Sequence, residues 1–116
     1  MIVGIGLDVV EVERIKDAYI RRETFAQRVL TYRELEIFSE LKGKRKIEFL
    51  AGRFSVKEAF SKALGTGIGK VGFLDVEILP DKLGKPVVTE SPFDGNVWVS
   101  ISHTDSIAVA QVILEK

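Results

Sequence analysis

Apolar side chains recur at every second position near the start of the chain: Val3, Ile5, Leu7 and Val9. Period two is the mark of a strand, and the spacing predicts a buried strand over residues 2–12 with these four on one face. The opposite face carries Ile2, Gly4, Gly6, Asp8, Val10 and Val12. Glycines within a strand admit a second backbone or a ligand at close range. From Glu13 to about Leu41 the pattern turns helical and charged. Thr31 followed by Glu34 is a capping-box signature that starts a helix running to about Leu41. After the basic break Lys42-Gly43-Lys44-Arg45-Lys46, apolar positions Ile47, Leu50, Ala51 and Phe54 follow the i, i+3, i+4, i+7 spacing of a helix face. This predicts a long helix to about Leu64, stopped by Gly65-Thr66-Gly67-Ile68-Gly69, whose glycines suit a C-cap and a flexible connector.

The remainder reads as strands over 74–80, 85–90, 97–103 and 106–114, separated by Asp, Gly, Pro and Asn. Leu83-Gly84-Lys85-Pro86 predicts a hairpin turn and His103-Thr104-Asp105-Ser106 a tighter one. No repeat, low-complexity tract or interdomain linker interrupts the chain. The expected fold class is α+β: a single small domain over residues 1–116, with one strand, then helices, then an antiparallel meander.

Composition narrows the function classes. A chain of 116 residues suits one domain. Its core is modest, so burying further surface in an oligomer helps. Seventeen basic residues balance 17 acidic ones, which argues against general nucleic-acid binding. The absence of cysteine excludes disulfides and thiolate metal sites and accords with a reducing cytoplasm. The start lacks the basic flank and length of a signal peptide, and no apolar run is long enough to span a bilayer. The expectation is a soluble, intracellular domain with no nucleic-acid or membrane partner.

Two acids break the apolar pattern. Asp8 is a carboxylate in an otherwise apolar strand, expensive there unless paired, hydrogen-bonded or bound to metal. Taken alone, it is explained slightly better as an acid satisfied by backbone amides or an arginine than as a ligand. Glu58 stands where the stripe 47, 50, 51, 54 extends by one turn. Taken alone, it is explained far more readily by an i, i+4 pair with Lys62 on a solvated face, a reading weakened because this face is the buried one upstream. His103, the one histidine, sits at a strand end, where a structural role is commoner than a catalytic one; it can also donate to a phosphate. Together, two carboxylates, a lysine and a glycine-rich loop point to phosphoryl-type chemistry. Carboxylate oxygens suit Mg²⁺, which also takes phosphate oxygens and waters. The loop is not a Walker loop, since no Gly-Lys-Ser/Thr follows at the required spacing.

Three segments carry a family resemblance. Gly6-Leu7-Asp8-Val9-Val10-Glu11-Val12 with Arg14-Ile15, then Phe54-Ser55-Val56-Lys57-Glu58-Ala59-Phe60-Ser61-Lys62-Ala63-Leu64-Gly65-Thr66-Gly67, then Ser100-Ile101-Ser102-His103-Thr104 resemble, in order and spacing, the motifs of the holo-acyl-carrier-protein synthases. These are short 4′-phosphopantetheinyl transferases. The resemblance implies their fold, an antiparallel sheet packed with a long helix and shorter N-terminal helices. It also implies transfer of 4′-phosphopantetheine from coenzyme A to a serine of apo-acyl carrier protein, leaving adenosine 3′,5′-bisphosphate. Asp8 and Glu58 match the positions for Mg²⁺, with Mn²⁺ as a possible substitute, and Lys62 matches the lysine at the diphosphate. Lys44, Arg45, Arg53, Gly84 and Pro86 match positions around the adenosine 3′-phosphate of coenzyme A, His103 and Thr104 match a turn at the nucleotide end of that pocket, and Gly65 matches a further coenzyme A position. Arg14, and with it Arg21, Arg22 and Arg28, matches the arginines offered to the carrier protein; solvated helix faces explain Arg22 and Arg28 as well. The family implies a cytoplasmic homotrimer in fatty acid biosynthesis, with sites between subunits. Larger monomeric relatives use an Asp-x-Glu metal motif; here Val9 and Val10 follow Asp8, which fits the short type. On the residues alone, a non-catalytic coenzyme A or nucleotide-binding module and a structural trimerisation or protein-binding domain remain open, but neither needs the paired acids.

Overall fold

The computed structural model describes residues 1–116. Strand β1 (Ile2–Glu11) is followed by helices α1 (Val12–Arg21), α2 (Thr24–Val29), α3 (Tyr32–Glu40) and α4 (Gly43–Leu64). A short 3₁₀ turn (Phe73–Asp75) then leads into strands β2 (Glu77–Pro80), β3 (Pro86–Glu90), β4 (Asn96–His103) and β5 (Ile107–Glu115). The charged stretch after β1 thus resolves into three helices. Thr31 starts α3 as its pattern predicts: its hydroxyl accepts from the Glu34 N–H at 3.3 Å, and the Glu34 carboxylate accepts from the Thr31 N–H at 2.8 Å. No helix is long and apolar enough to cross a membrane.

The strands do not form one meander. β1, β5 and β4 make an antiparallel sheet in that order, so the first and last strands pair and Asp8 lies opposite Ala110. β2 and β3 form a separate two-stranded ribbon. β5 takes the central place because its alternate residues Ala108, Ala110, Val112 and Leu114 are buried against α4.

The expected burial of β1 is reversed. Val3, Ile5, Leu7 and Val9 lie on the open side of the sheet, and Ile5 is 60% exposed. It is the glycine-bearing face that packs on α4. A Cβ placed on Gly6 would come 1.8 Å from the Ala59 carbonyl oxygen, and one on Gly4 2.2 Å from that of Ala63. Backbone rests on backbone there, which only glycine permits. The apolar stripe left outside continues through half-buried Val109 and Ile113 to exposed Trp98.

α4 is enclosed on several sides, so its polar residues are buried too. Its first half packs with α1, α2 and α3 around Leu50 and Ala51; its second half lies beneath the sheet around Val56 and Phe60. Lys57 and Glu34 are both fully buried. The Lys57 ammonium donates to the Val29 carbonyl and to Glu34 Oε1, each at 2.6 Å, and Glu34 Oε2 accepts from the Ile78 N–H at 2.8 Å. Beside them Glu77 accepts from Thr31 Oγ1 at 2.6 Å and Thr89 Oγ1 at 2.7 Å. Burial works against the ionised form of Glu77, yet these hydroxyls and Arg33 hold its carboxyl below the usual range. One network therefore joins the ends of α2 and α3, the middle of α4 and β2. Every member has a partner, the condition under which buried charge is tolerated.

Lys57→Met leaves Glu34 charged and buried without its cation. We expect a loss of about 3–5 kcal/mol in urea unfolding. A midpoint equal to the parent's would mean that the pair does not hold these elements together.

Candidate active site

Ser55, Glu58 and Lys62 fall at i, i+3 and i+7 on α4 and so share one face. That face meets β1 at Asp8. Ser55 Oγ lies 3.1 Å from Asp8 Oδ2 and 3.1 Å from the Asp8 carbonyl oxygen. Lys62 Nζ lies 3.1 Å from Asp8 Oδ1 and 3.0 Å from the Leu7 carbonyl oxygen. Asp8 is therefore held by side chains of α4, one at each carboxylate oxygen, and not by backbone amides or an arginine. Lys62 reaches across to the strand instead of forming the i, i+4 pair with Glu58.

Glu58 lies between these two grips, half-buried. Burial, and then the charge of Asp8, push its carboxyl above the usual carboxylate range, while Lys62 draws it back. Asp8 and Glu58 line a cleft of about 370 Å³ whose apolar wall includes Ile15, Phe25 and Phe54, with Arg14 beside them. Two neighbouring carboxylates share one lysine, so the charge is under-compensated, and the donors are hard oxygens. This set fits a divalent cation such as Mg²⁺. No group of three or more acids, histidines or cysteines gathers there or elsewhere in the chain. Any further ligands to such a cation would be waters or oxygens of a bound molecule.

A second cluster occupies the other end of α4. Lys44 pairs with Asp105, and His103 Nδ1 lies 3.5 Å from Glu48 Oε2. Thr104 orders the β4–β5 turn: its Oγ1 accepts from the N–H groups of Ser106 and Ile107, each at 3.2 Å. Arg45 is exposed. Arg53 is buried instead, its Nε 3.3 Å from the Ile78 carbonyl and its guanidinium 4.2 Å from the Phe49 ring centre. Burial lowers its pKa to about 10, against an opposing pull from Glu34. Gly84 (φ 87°) closes the turn between β2 and β3, where Asp81 Oδ1 accepts from Leu83 and Lys85 N–H at 2.9 Å each, and Pro86 opens β3. Gly65 (φ 87°) caps α4. Arg14 and Arg21 are exposed on α1, Arg22 caps it, and Arg28 lies in the last turn of α2.

Within one chain these residues form two groups. Asp8, Glu58, Lys62 and Arg14 come together. Lys44, His103 and Thr104 come together elsewhere, with Arg45 exposed next to Lys44 in sequence; Arg53, Gly65, Gly84 and Pro86 stand apart from both groups. Lys44 and Glu58 are fourteen positions apart on the helix, about 21 Å at 1.5 Å per residue. Sequence reasoning passed over Ser55, although its place one helical turn before Glu58, on the face of Lys62, is readable from spacing. It also gave no role to Lys57 or Asp105, and to Glu34 only that of the capping box, because their other partners lie far along the chain.

The sequence profile of the 4′-phosphopantetheinyl transferase superfamily matches residues 4–112, and the chain belongs to that superfamily. Within it, the chain is similar to the holo-(acyl-carrier-protein) synthases. It is 58% identical to that of Enterococcus faecalis, covering 99% of this chain and 98% of that one. It is 54% identical to that of Streptococcus suis, covering 100% and 98%. The crystal structure of the Bacillus anthracis synthase, in complex with coenzyme A (3′,5′-ADP), superposes with a TM-score of 0.92 at 50% identity, covering 98% of this chain and 96% of that one. The fold that the motifs implied is the fold observed.

Proposed function

We propose that the protein transfers 4′-phosphopantetheine from coenzyme A to a serine of apo-acyl carrier protein, with Mg²⁺, or Mn²⁺ in its place, held by Asp8 and Glu58. The observation that carries this reading is the pair of carboxylates, one gripped by Ser55 and Lys62 and the other unpartnered, in a cleft flanked by Arg14. The Bacillus anthracis relative binds coenzyme A, which supports the same substrate here.

The serine oxygen attacks the phosphorus that bears the pantetheine arm. A new P–O bond forms there, and the bond from that phosphorus to the bridging oxygen breaks, so that oxygen leaves with adenosine 3′,5′-bisphosphate. The serine proton needs an acceptor. Glu58, half-buried and raised in pKa, suits that task better than an ordinary exposed acid. Lys62 has three N–H donors, of which two go to Asp8 and the Leu7 carbonyl. The third is left to neutralise the departing phosphate. When bound, the divalent cation neutralises charge on the diphosphate. Ser55 and Lys62 keep the Asp8 carboxylate in one orientation, so little reorganisation is required when the ligands arrive. The exposed arginines of α1 suit an acidic partner surface. The pathway we assign is fatty acid biosynthesis in the cytoplasm.

The assembly we assign is a homotrimer with each site between two subunits. Two observations support it. The outer face of β1 presents Val3, Ile5, Leu7 and Val9 to solvent in one row, and contiguous exposed apolar surface suits a protein–protein contact. The two polar groups stand about 21 Å apart along one rigid helix, further than one nucleotide diphosphate spans. The Asp8 end of one copy and the Lys44 end of another therefore serve one coenzyme A.

Asp8→Asn and Glu58→Gln should each lower kcat for labelled phosphopantetheine transfer on the order of 10²-fold or more. Near-parental turnover of Glu58→Gln at saturating Mg²⁺ would remove the carboxylate pair from the chemistry. Ile5→Asp puts a charge in the apolar sheet face. We expect a folded monomer in analytical ultracentrifugation, with transfer activity lost alongside the trimer; a fully active monomer would show that each chain carries a complete site.

A further inference from the structure

Lys44 and Glu48 lie one turn apart on α4 and share a face. Both reach the β4–β5 turn, Lys44 to Asp105 and Glu48 to His103. The turn that presents Asp105 is well ordered: the Thr104 N–H donates to the Ile107 carbonyl at 2.9 Å, and the Thr104 hydroxyl caps two further N–H groups. Asp105 itself is 88% exposed and Lys44 62%. A carboxylate is thus carried on a hydrogen-bonded turn, against an exposed lysine, at the edge of a cleft of about 520 Å³ that Glu13 and Lys16 also line. Arg45, next to Lys44 in sequence, is exposed as well.

An ion pair this exposed contributes little stability, so structural necessity does not account for it. Its geometry suits exchange. A phosphate dianion carries more charge and more acceptor oxygens than a carboxylate and forms the stronger charge-assisted bonds to an ammonium. We infer that Asp105 is a displaceable stand-in for phosphate: it neutralises Lys44 in the ligand-free enzyme and gives way when the 3′-phosphate of the nucleotide reaches that lysine. The inference rests on the reading that the adenosine 3′-phosphate lies at Lys44 and Arg45. Asp105 then acts as a specificity-determining residue. It lowers the affinity for 3′-phosphorylated nucleotides, including the product bisphosphate, and so favours product release, while leaving contacts to the 5′-phosphate untouched.

Calorimetric titration of the full-length chain with adenosine 3′,5′-bisphosphate tests this, with adenosine 5′-monophosphate as the probe that lacks the 3′ group. Asp105→Asn should tighten the bisphosphate by about 3- to 10-fold at low ionic strength, the size of one carboxylate's repulsion at short range in water. The gain should shrink as salt rises, and the monophosphate constant should stay where it is. An unchanged or weaker bisphosphate constant overturns the inference, and so does equal tightening of both probes. Lys44→Ala separates the two claims. Full-strength bisphosphate binding in that variant overturns the placement of the phosphate, and this inference with it. Weakened binding there, together with an unchanged Asp105→Asn constant, overturns this inference alone.

Discussion

β1 lies on α4 so closely that a single methyl group at Gly6 would overlap the Ala59 carbonyl, and the same holds for Gly4 against Ala63. Much else follows from that contact. It turns the glycine face of the strand inward and the apolar stripe outward. It brings Asp8, two residues beyond Gly6, onto the helix face of Ser55, Glu58 and Lys62, where side chains in place of the glycines would hold the groups apart. A carboxylate from the strand and a carboxylate from the helix become neighbours because no side chains stand between the two backbones.

The helix must also be held from behind. Lys57 faces away from β1 and bonds Val29 and Glu34, while Arg53 bonds the Ile78 carbonyl. Adjacent residues Lys57 and Glu58 thus divide the work. The first anchors α4 to α2, α3 and β2; the second stands in the cleft. Buried charge of this kind is costly to assemble and more costly to leave half-made, so the network favours one placement of the helix over slightly shifted alternatives. The same rigidity keeps the Lys44 end and the Glu58 end apart. On the side of β1 away from this 22-residue helix, the apolar sheet face stays open.

Much of this was legible from residue order. The period-two run, the capping box at Thr31, the long helix ending at Gly65 and the four later strands all appear within a few residues of their expected places. The two acids out of pattern line one cleft together. What was not legible depended on distant partners. Val3, Ile5, Leu7 and Val9 alternate as a buried face does, and alternation cannot say whether the cover is the chain's own helix or another copy. The pairing of β1 with β5 joins opposite ends of the chain, so no local turn signalled it. The burial of Lys57 and Glu34 carries no local signal, because α4 is enclosed on several sides and a single apolar stripe does not announce that. Ser55 was readable in spacing yet too common a residue to stand out.

The central claim is that the glycine contact sets the carboxylate pair. It is tested most directly by divalent-dependent transfer in Gly6→Ala, with folding checked by circular dichroism. The account predicts a folded enzyme whose kcat falls on the order of 10²-fold, because displacing β1 by about an ångström misplaces Asp8 against Glu58. A folded Gly6→Ala enzyme with parental kcat would contradict it.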